Sequence, residues 1–218
     1  MINKMQKVQT EKWARRQAYA TFIGYSVPVF SLSARLDVTK LCQRCKREKT
    51  SFFGEMLYIV SAVLNGIEEF RLRLHKGDVV LFDKTDPNYI VMADSGAITP
   101  CRTEYTQDRK AFLARERADI TYVKENGGKL NTFNPPGVVD CFYVSTLPWT
   151  DILSISNPYD YKDADGTSIP RVTWGKYSEE NGRMKMTIDI AAHHALIDGE
   201  PVCRAFNAMQ RMIDEIDE

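Results

Sequence analysis

Apolar residues along this chain fall into two rhythms. In "FSLSARLDV", Phe30, Leu32, Ala34, Leu36 and Val38 recur at every second position, which predicts a strand with one buried face. "MKMTIDIAA" repeats the rhythm, with Met184, Met186, Ile188 and Ile190 set against Lys185, Thr187 and Asp189. Between them, "SFFGEMLYIVSAVLNGI" places Phe53, Met56, Leu57, Val60, Val63 and Leu64 at helical spacing, as a buried helix requires. A polar helix is expected over 38–49 and an exposed one over 107–123. "FRLRLHKGDVVLFD" reads as a hairpin turning at Lys76-Gly77-Asp78. "YIVMAD", "VVDCFYVST" and "RVTWGKY" read as further strands, with "SEENGR" as the turn joining the last two strands of the chain. The C-terminal helix carries Pro201 in its first turn, and Val202, Phe206, Met209, Ile213 and Ile216 form its apolar stripe. Strands and helices are interleaved, with no repeat and no linker-like tract. The expectation is one domain over 1–218, an α/β two-layer sandwich of a large mixed sheet with helices packed on it.

Composition narrows the partners. Lys+Arg and Asp+Glu number 29 each among 218 residues, so no net charge draws the chain to nucleic acid or to an anionic membrane. The basic run "KLCQRCKREK" reads as a solvated helix face. No segment reaches the ~18 apolar residues of a membrane span, and the first residues lack a secretory pattern, so a cytoplasmic protein is expected. Five scattered cysteines predict free thiols. Cys42 and Cys45 make a C-x-x-C without the second ligand pair a zinc site needs, so no metal is expected.

The chain has three histidines, and two stand together in "DIAAHHALIDGEPVCRAF". His193 and His194 leave a predicted strand and precede a predicted helix, a place where a scaffold holds functional groups. A histidine there can take and return a proton near neutral pH if its ring is oriented. Asp198 could help hold the loop, and Gly199 could permit the turn.

"HHALIDG" resembles the H-H-x-x-x-D-G signature of the chloramphenicol acetyltransferase family, within a wider group of coenzyme-A-dependent acyltransferases. "WARRQ", "FSLSARLDVT", "LFDKTDPNYIV", "YVSTLPWTDILSI" and "VTWGKY" resemble further blocks of that family, in its order and over nearly the whole chain. The resemblance implies acetyl transfer from acetyl-CoA directly to a hydroxyl, with His194 as general base and His193 as its structural neighbour. It implies that Ser154 donates to the oxyanion, that Thr173 holds a nearby water, and that Asp198 pairs with Arg15. Lys176, Tyr177 and Trp149 fall on the coenzyme A side, and Phe22 and Tyr25 on the acceptor side. It also implies a homotrimer with active sites between subunits.

The acceptor segments depart from the pattern. Thr21, Ser26, Pro28 and "SGAITPCRTEY" differ, and Glu200-Pro201 replaces the usual Phe-His, so a charge near the catalytic loop is expected. Chloramphenicol is the leading acceptor on this resemblance. Another alcohol or amine acceptor, or a non-catalytic binding protein of the same fold, are the alternatives.

Overall fold

The computed structural model describes residues 3–92, 96, 98–127, 129 and 138–217. The strands are β1 (Met5–Lys7), β2 (Val29–Asp37), β3 (Leu72–His75), β4 (Asp78–Phe82), β5 (Asp86–Met92), β6 (Ile98–Arg102), β7 (Cys141–Leu147), β8 (Arg171–Gly175), β9 (Ser178–Glu180) and β10 (Arg183–His193). The helices are α1 (Arg16–Phe22), α2 (Thr39–Glu48), α3 (Phe52–Gly66), α4 (Arg109–Glu125), α5 (Ala164–Thr167) and α6 (Gly199–Asp214).

A seven-stranded mixed sheet runs β2-β10-β8-β7-β5-β6, with β9 paired to β10. The β7 contacts with β5 and β8 are parallel, and the other neighbours are antiparallel. The expected mixed sheet is present, but the hairpin of β3 and β4 lies outside it. That hairpin pairs with β1 in a separate three-stranded sheet. Lys76 and Gly77 both have positive φ, which gives the two-residue turn whose twist suits a tight hairpin. Asn181 and Gly182 do the same between β9 and β10. The turn expected over "SEENGR" is therefore narrower, because Ser178–Glu180 is itself a strand.

One face of the sheet is apolar and covered. Met186, Ile188, Ile190 and Ala192 from β10, with Val172 and Trp174 from β8, join α2, α3 and α6 in one core. Ser51 caps α3 by accepting from the Gly54 N–H, and Asp108 caps α4 by accepting from Lys110 and Ala111. The helix expected over 107–123 is not wholly exposed, since Phe112, Glu116 and Val123 turn inward. Cys42 and Cys45 also point into the core, and burial pushes the Cys42 thiol up to about 11.

The opposite face carries the odd-numbered residues of β10, where Thr187, Asp189 and His193 are buried polar groups. Alternation alone reads these as the solvent side of the strand. No helix among the described residues is long and apolar enough to cross a membrane.

Candidate active site

β10 ends at His193, and its carbonyl accepts from the Leu196 and Ile197 amides, closing a turn. The His194 amide donates to Pro28 O at 2.8 Å, which ties this turn to the segment entering β2. Arg15, just before α1, closes the arrangement from the other end of the chain. Its Nε donates to Ala195 O at 3.1 Å and its Nη2 to Asp198 Oδ1 at 2.7 Å. A second ion pair joins Nη1 to Asp198 Oδ2, and Nη2 also reaches His194 O. Asp198 stands where an aspartate would cap α6, yet its side chain caps nothing and faces the guanidinium. The expected Arg15–Asp198 pair is thus present, as a bidentate contact that also holds two backbone carbonyls of the histidine turn.

The two histidines differ sharply. The His193 side chain is buried, and its Nδ1 accepts from the Ala195 amide at 3.2 Å. Burial, with His194 adding a smaller effect, pushes its pKa down to about 4. It is neutral at physiological pH and too weak a base to take a substrate proton. The His194 ring is one-third exposed and lies flat against Phe22, with centroids 3.9 Å apart and planes 5° apart. Phe30 closes a second side at 4.7 Å. Its Nδ1 is 3.3 Å from Asp198 Oδ1, close enough for charge interaction but not aligned as a hydrogen bond. The ring is therefore oriented by stacking, with a carboxylate beside Nδ1. Tyr25 packs edge-on against Phe22 at 5.1 Å. Phe22, expected on the acceptor side, touches the imidazole itself.

Glu200 turns away from this cluster. It is exposed, and its nearest cation is Arg204 at 3.8 Å, one turn along α6. Gly199 opens α6 without a left-handed φ, and a Cβ there would meet only Leu32 Cδ1 at 4.0 Å. The turn therefore does not depend on it as expected.

Lys176 and Tyr177 sit at the far end of the sheet. They line a cavity of roughly 400 Å³ with Phe52, Phe53, Pro148 and Trp174. Trp149 is not among its walls and is 72% exposed. β10 runs antiparallel to β8, with Ile188 opposite Trp174 and Ala191 opposite Arg171. From Ile188 to His193 the strand covers about 17 Å, and His194 lies beyond. The histidine and the cavity thus occupy opposite ends of one chain's sheet.

Ser154 belongs to the segment after β7 and is exposed. That segment crosses the end of β8 so closely that a Cβ on Gly175 would lie 2.7 Å from Ile152 Cγ1 and 3.1 Å from Thr150 O. Arg35 anchors it by a bidentate pair to Asp151 while also reaching Glu180, Ser178 and Thr187. Neither Gly175 nor Arg35 stood out in the sequence. Thr173 is fully buried and its Oγ1 has no hydrogen-bond partner among the described residues. It shares a rung with Ser145 on β7 and Asp189 on β10. Sequence reasoning missed Ser145 and Asp189, because a strand serine and an alternating aspartate carry no signal until the register sets them beside Thr173. Among the described residues no group of three His, Cys, Asp or Glu side chains is arranged to hold a metal.

This architecture is shared with known acyltransferases. A solved chloramphenicol acetyltransferase superposes with a TM-score of 0.87 at 24% identity, covering 96% of this chain and all of that one. A probable dihydrolipoamide acetyltransferase from Listeria monocytogenes superposes at 0.69 with 13% identity, over 94% of both chains. The sequence narrows the class further. Residues 3–210 match the family model for chloramphenicol acetyltransferase. The chain is 31% identical to a chloramphenicol acetyltransferase of Campylobacter coli, over 96% of this chain and 98% of that protein. It is 33% identical to one of Vibrio anguillarum, over 96% and 94%. The protein belongs to the chloramphenicol acetyltransferase family and is an enzyme of that class.

Proposed function

We propose that the enzyme transfers an acetyl group from acetyl-CoA directly to the hydroxyl of a small acceptor, with His194 as general base. The observation that carries this reading is the held imidazole: stacked on Phe22, walled by Phe30 and flanked at Nδ1 by Asp198. Nε2 is then the nitrogen left to work. It removes the acceptor's proton as the oxygen attacks the thioester carbonyl. Collapse of the tetrahedral intermediate breaks the carbon–sulfur bond, and the coenzyme A thiolate takes the proton back from the imidazolium. Arg15 and Asp198 orient the turn and transfer no proton.

The oxyanion needs a donor fixed in advance. Ser154 was the expected one, but it is exposed on a segment without helix or strand. Ser145 is the better candidate: it is fixed in β7, half-buried, beside Thr173. Both serines, Thr173 and the Lys176/Tyr177 cavity are displaced along the sheet from His194 of the same chain. That separation supports a site completed between copies, with His194 facing the Ser145 and Thr173 of a neighbour in a homotrimer. Acetyl-CoA as donor suits a cytoplasmic enzyme.

Coenzyme A release with the best acceptor from a panel of small alcohols, chloramphenicol among them, tests the mechanism. His194→Ala is expected to lower kcat by about 10²–10⁴-fold while acetyl-CoA still binds. Turnover within a few-fold of wild type in that variant would remove His194 as base.

A further inference from the structure

The rung that holds Ser145 and Thr173 lies on the polar face of the sheet. Arg171, two residues before Thr173, shares that face, and Tyr143 stands opposite it on β7. The Arg171 guanidinium lies 3.7 Å over the Tyr159 ring and 5.8 Å from that of Tyr143. Aromatic faces are its only partners: among the described residues it has no carboxylate and no hydrogen bond, and its Nε is buried. The same is true of other groups nearby. Tyr159 OH, on the ring that lies over Arg171, and Thr173 Oγ1 are buried with no hydrogen-bond partner among the described residues, as is Asn157 Nδ2, two residues before Tyr159. Asp189 is fully buried; it accepts from the Ser33 hydroxyl at 2.8 Å, and the Ser31 hydroxyl also lies against it.

Buried polar atoms in folded proteins are almost always paired. Arg171 Nε, Tyr159 OH and Thr173 Oγ1, unpaired among the described residues on or over this one face, call for a polar counterpart, and a guanidinium without a carboxylate calls for an anion. We infer that the acceptor is a small hydrophilic alcohol carrying an anionic group, which Arg171 receives while the hydroxyl is offered to His194. Tyr159 keeps the guanidinium flat and its remaining N–H groups turned to the ligand. Asn157 and Tyr159 pair the acceptor's other polar atoms. An uncharged acceptor such as chloramphenicol has hydroxyls and an amide for some of these groups but would leave the Arg171 guanidinium desolvated without an anion, which is how a site disfavours a ligand. The inference rests on the acetyl-transfer reading for its chemistry, but its binding half can be tested alone.

Two measurements decide it. Chloramphenicol is titrated calorimetrically into the wild-type protein, Arg171→Leu and Asn157→Leu, each checked for native mass and circular dichroism. At least tenfold tighter binding is expected in Arg171→Leu, and a smaller gain in Asn157→Leu. Equal or weaker binding in both variants overturns the inference, and no turnover is needed to see it. Coenzyme A release is then followed with glycerate, glycerol 3-phosphate and neutral glycerol as acceptors. One of the two anions is expected to exceed glycerol at least tenfold in kcat/KM, and which one separates a carboxylate site from a phosphate site. That preference should vanish in Arg171→Leu. Glycerol used as well as both anions would also overturn the inference. Absent acetyl-CoA binding, together with no release from any acceptor, would instead count against the acetyl-transfer reading.

Discussion

His193 and His194 are neighbours in sequence and opposites in chemistry, because one side chain turns into the sheet and the other out onto Phe22. The depressed pKa of His193 has a definite sign. Its folded value of about 4 lies below the ordinary 6.5, so the unfolded chain binds the proton more readily between these values. Stability is expected to be full above pH 6.5 and to fall as pH drops toward 4, by roughly 3 kcal/mol at most. Denaturant midpoints measured against pH should show this slope in the wild type and a weaker one in His193→Gln. Arg15 and Asp198 are expected to respond unequally. Arg15→Ala removes a pair and also orphans two carbonyls, and should cost about 2–4 kcal/mol by chemical unfolding. Asp198 is 45% exposed, so Asp198→Ala should cost about half as much, with the larger effect on kcat.

At the scale of elements, what matters is how strands and segments pass one another. Gly175 has an ordinary backbone, and its missing side chain is what admits the segment carrying Ile152. Gly175→Ala is expected to push that segment off β8 and to lower kcat/KM about tenfold or more, with a small change in melting temperature. The α3–α4 contact holds a buried carboxyl. Burial raises Glu116 to about 7, and its Oε2 would lie 3.2 Å from a Cβ on Gly54. A carboxyl raised in this way favours the folded state less as pH climbs from about 4.5 to 7. Glu116→Gln should therefore stabilise the protein at pH 8 and change little at pH 4, as thermal unfolding at the two pH values would show. The main elements were legible because each of β2, α3 and β10 must bury one periodic face. α1 and β1 were not: α1 buries no residue fully and β1 is exposed, so neither carries an apolar rhythm.

For the molecule as a whole, the separation of His194 from the cavity end of its own sheet has a direct consequence. If the site is completed between copies, two inactive variants should restore one another. His194→Ala and Ser145→Ala, unfolded together and refolded as mixed trimers, should recover about a quarter of the wild-type rate. Separate refolding should recover none. No recovery from well-formed mixed trimers would place the whole site within one chain.

The sequence by itself determined the alternation of strands and helices and the histidine turn, which follow from local rhythm and from residue types at short spacing that a linear chain displays. The partnership of Arg15 with Asp198 was implied only by the resemblance of several blocks to one family. The tertiary structure decided what depends on register and on packing between distant segments. It set Ser145, Thr173 and Asp189 on one rung, laid Phe22 against the imidazole, turned Glu200 outward and set the Arg171 guanidinium against the Tyr143 and Tyr159 rings. Alternation tells which residues share a face of one strand, but only the pairing of strands tells which face meets which.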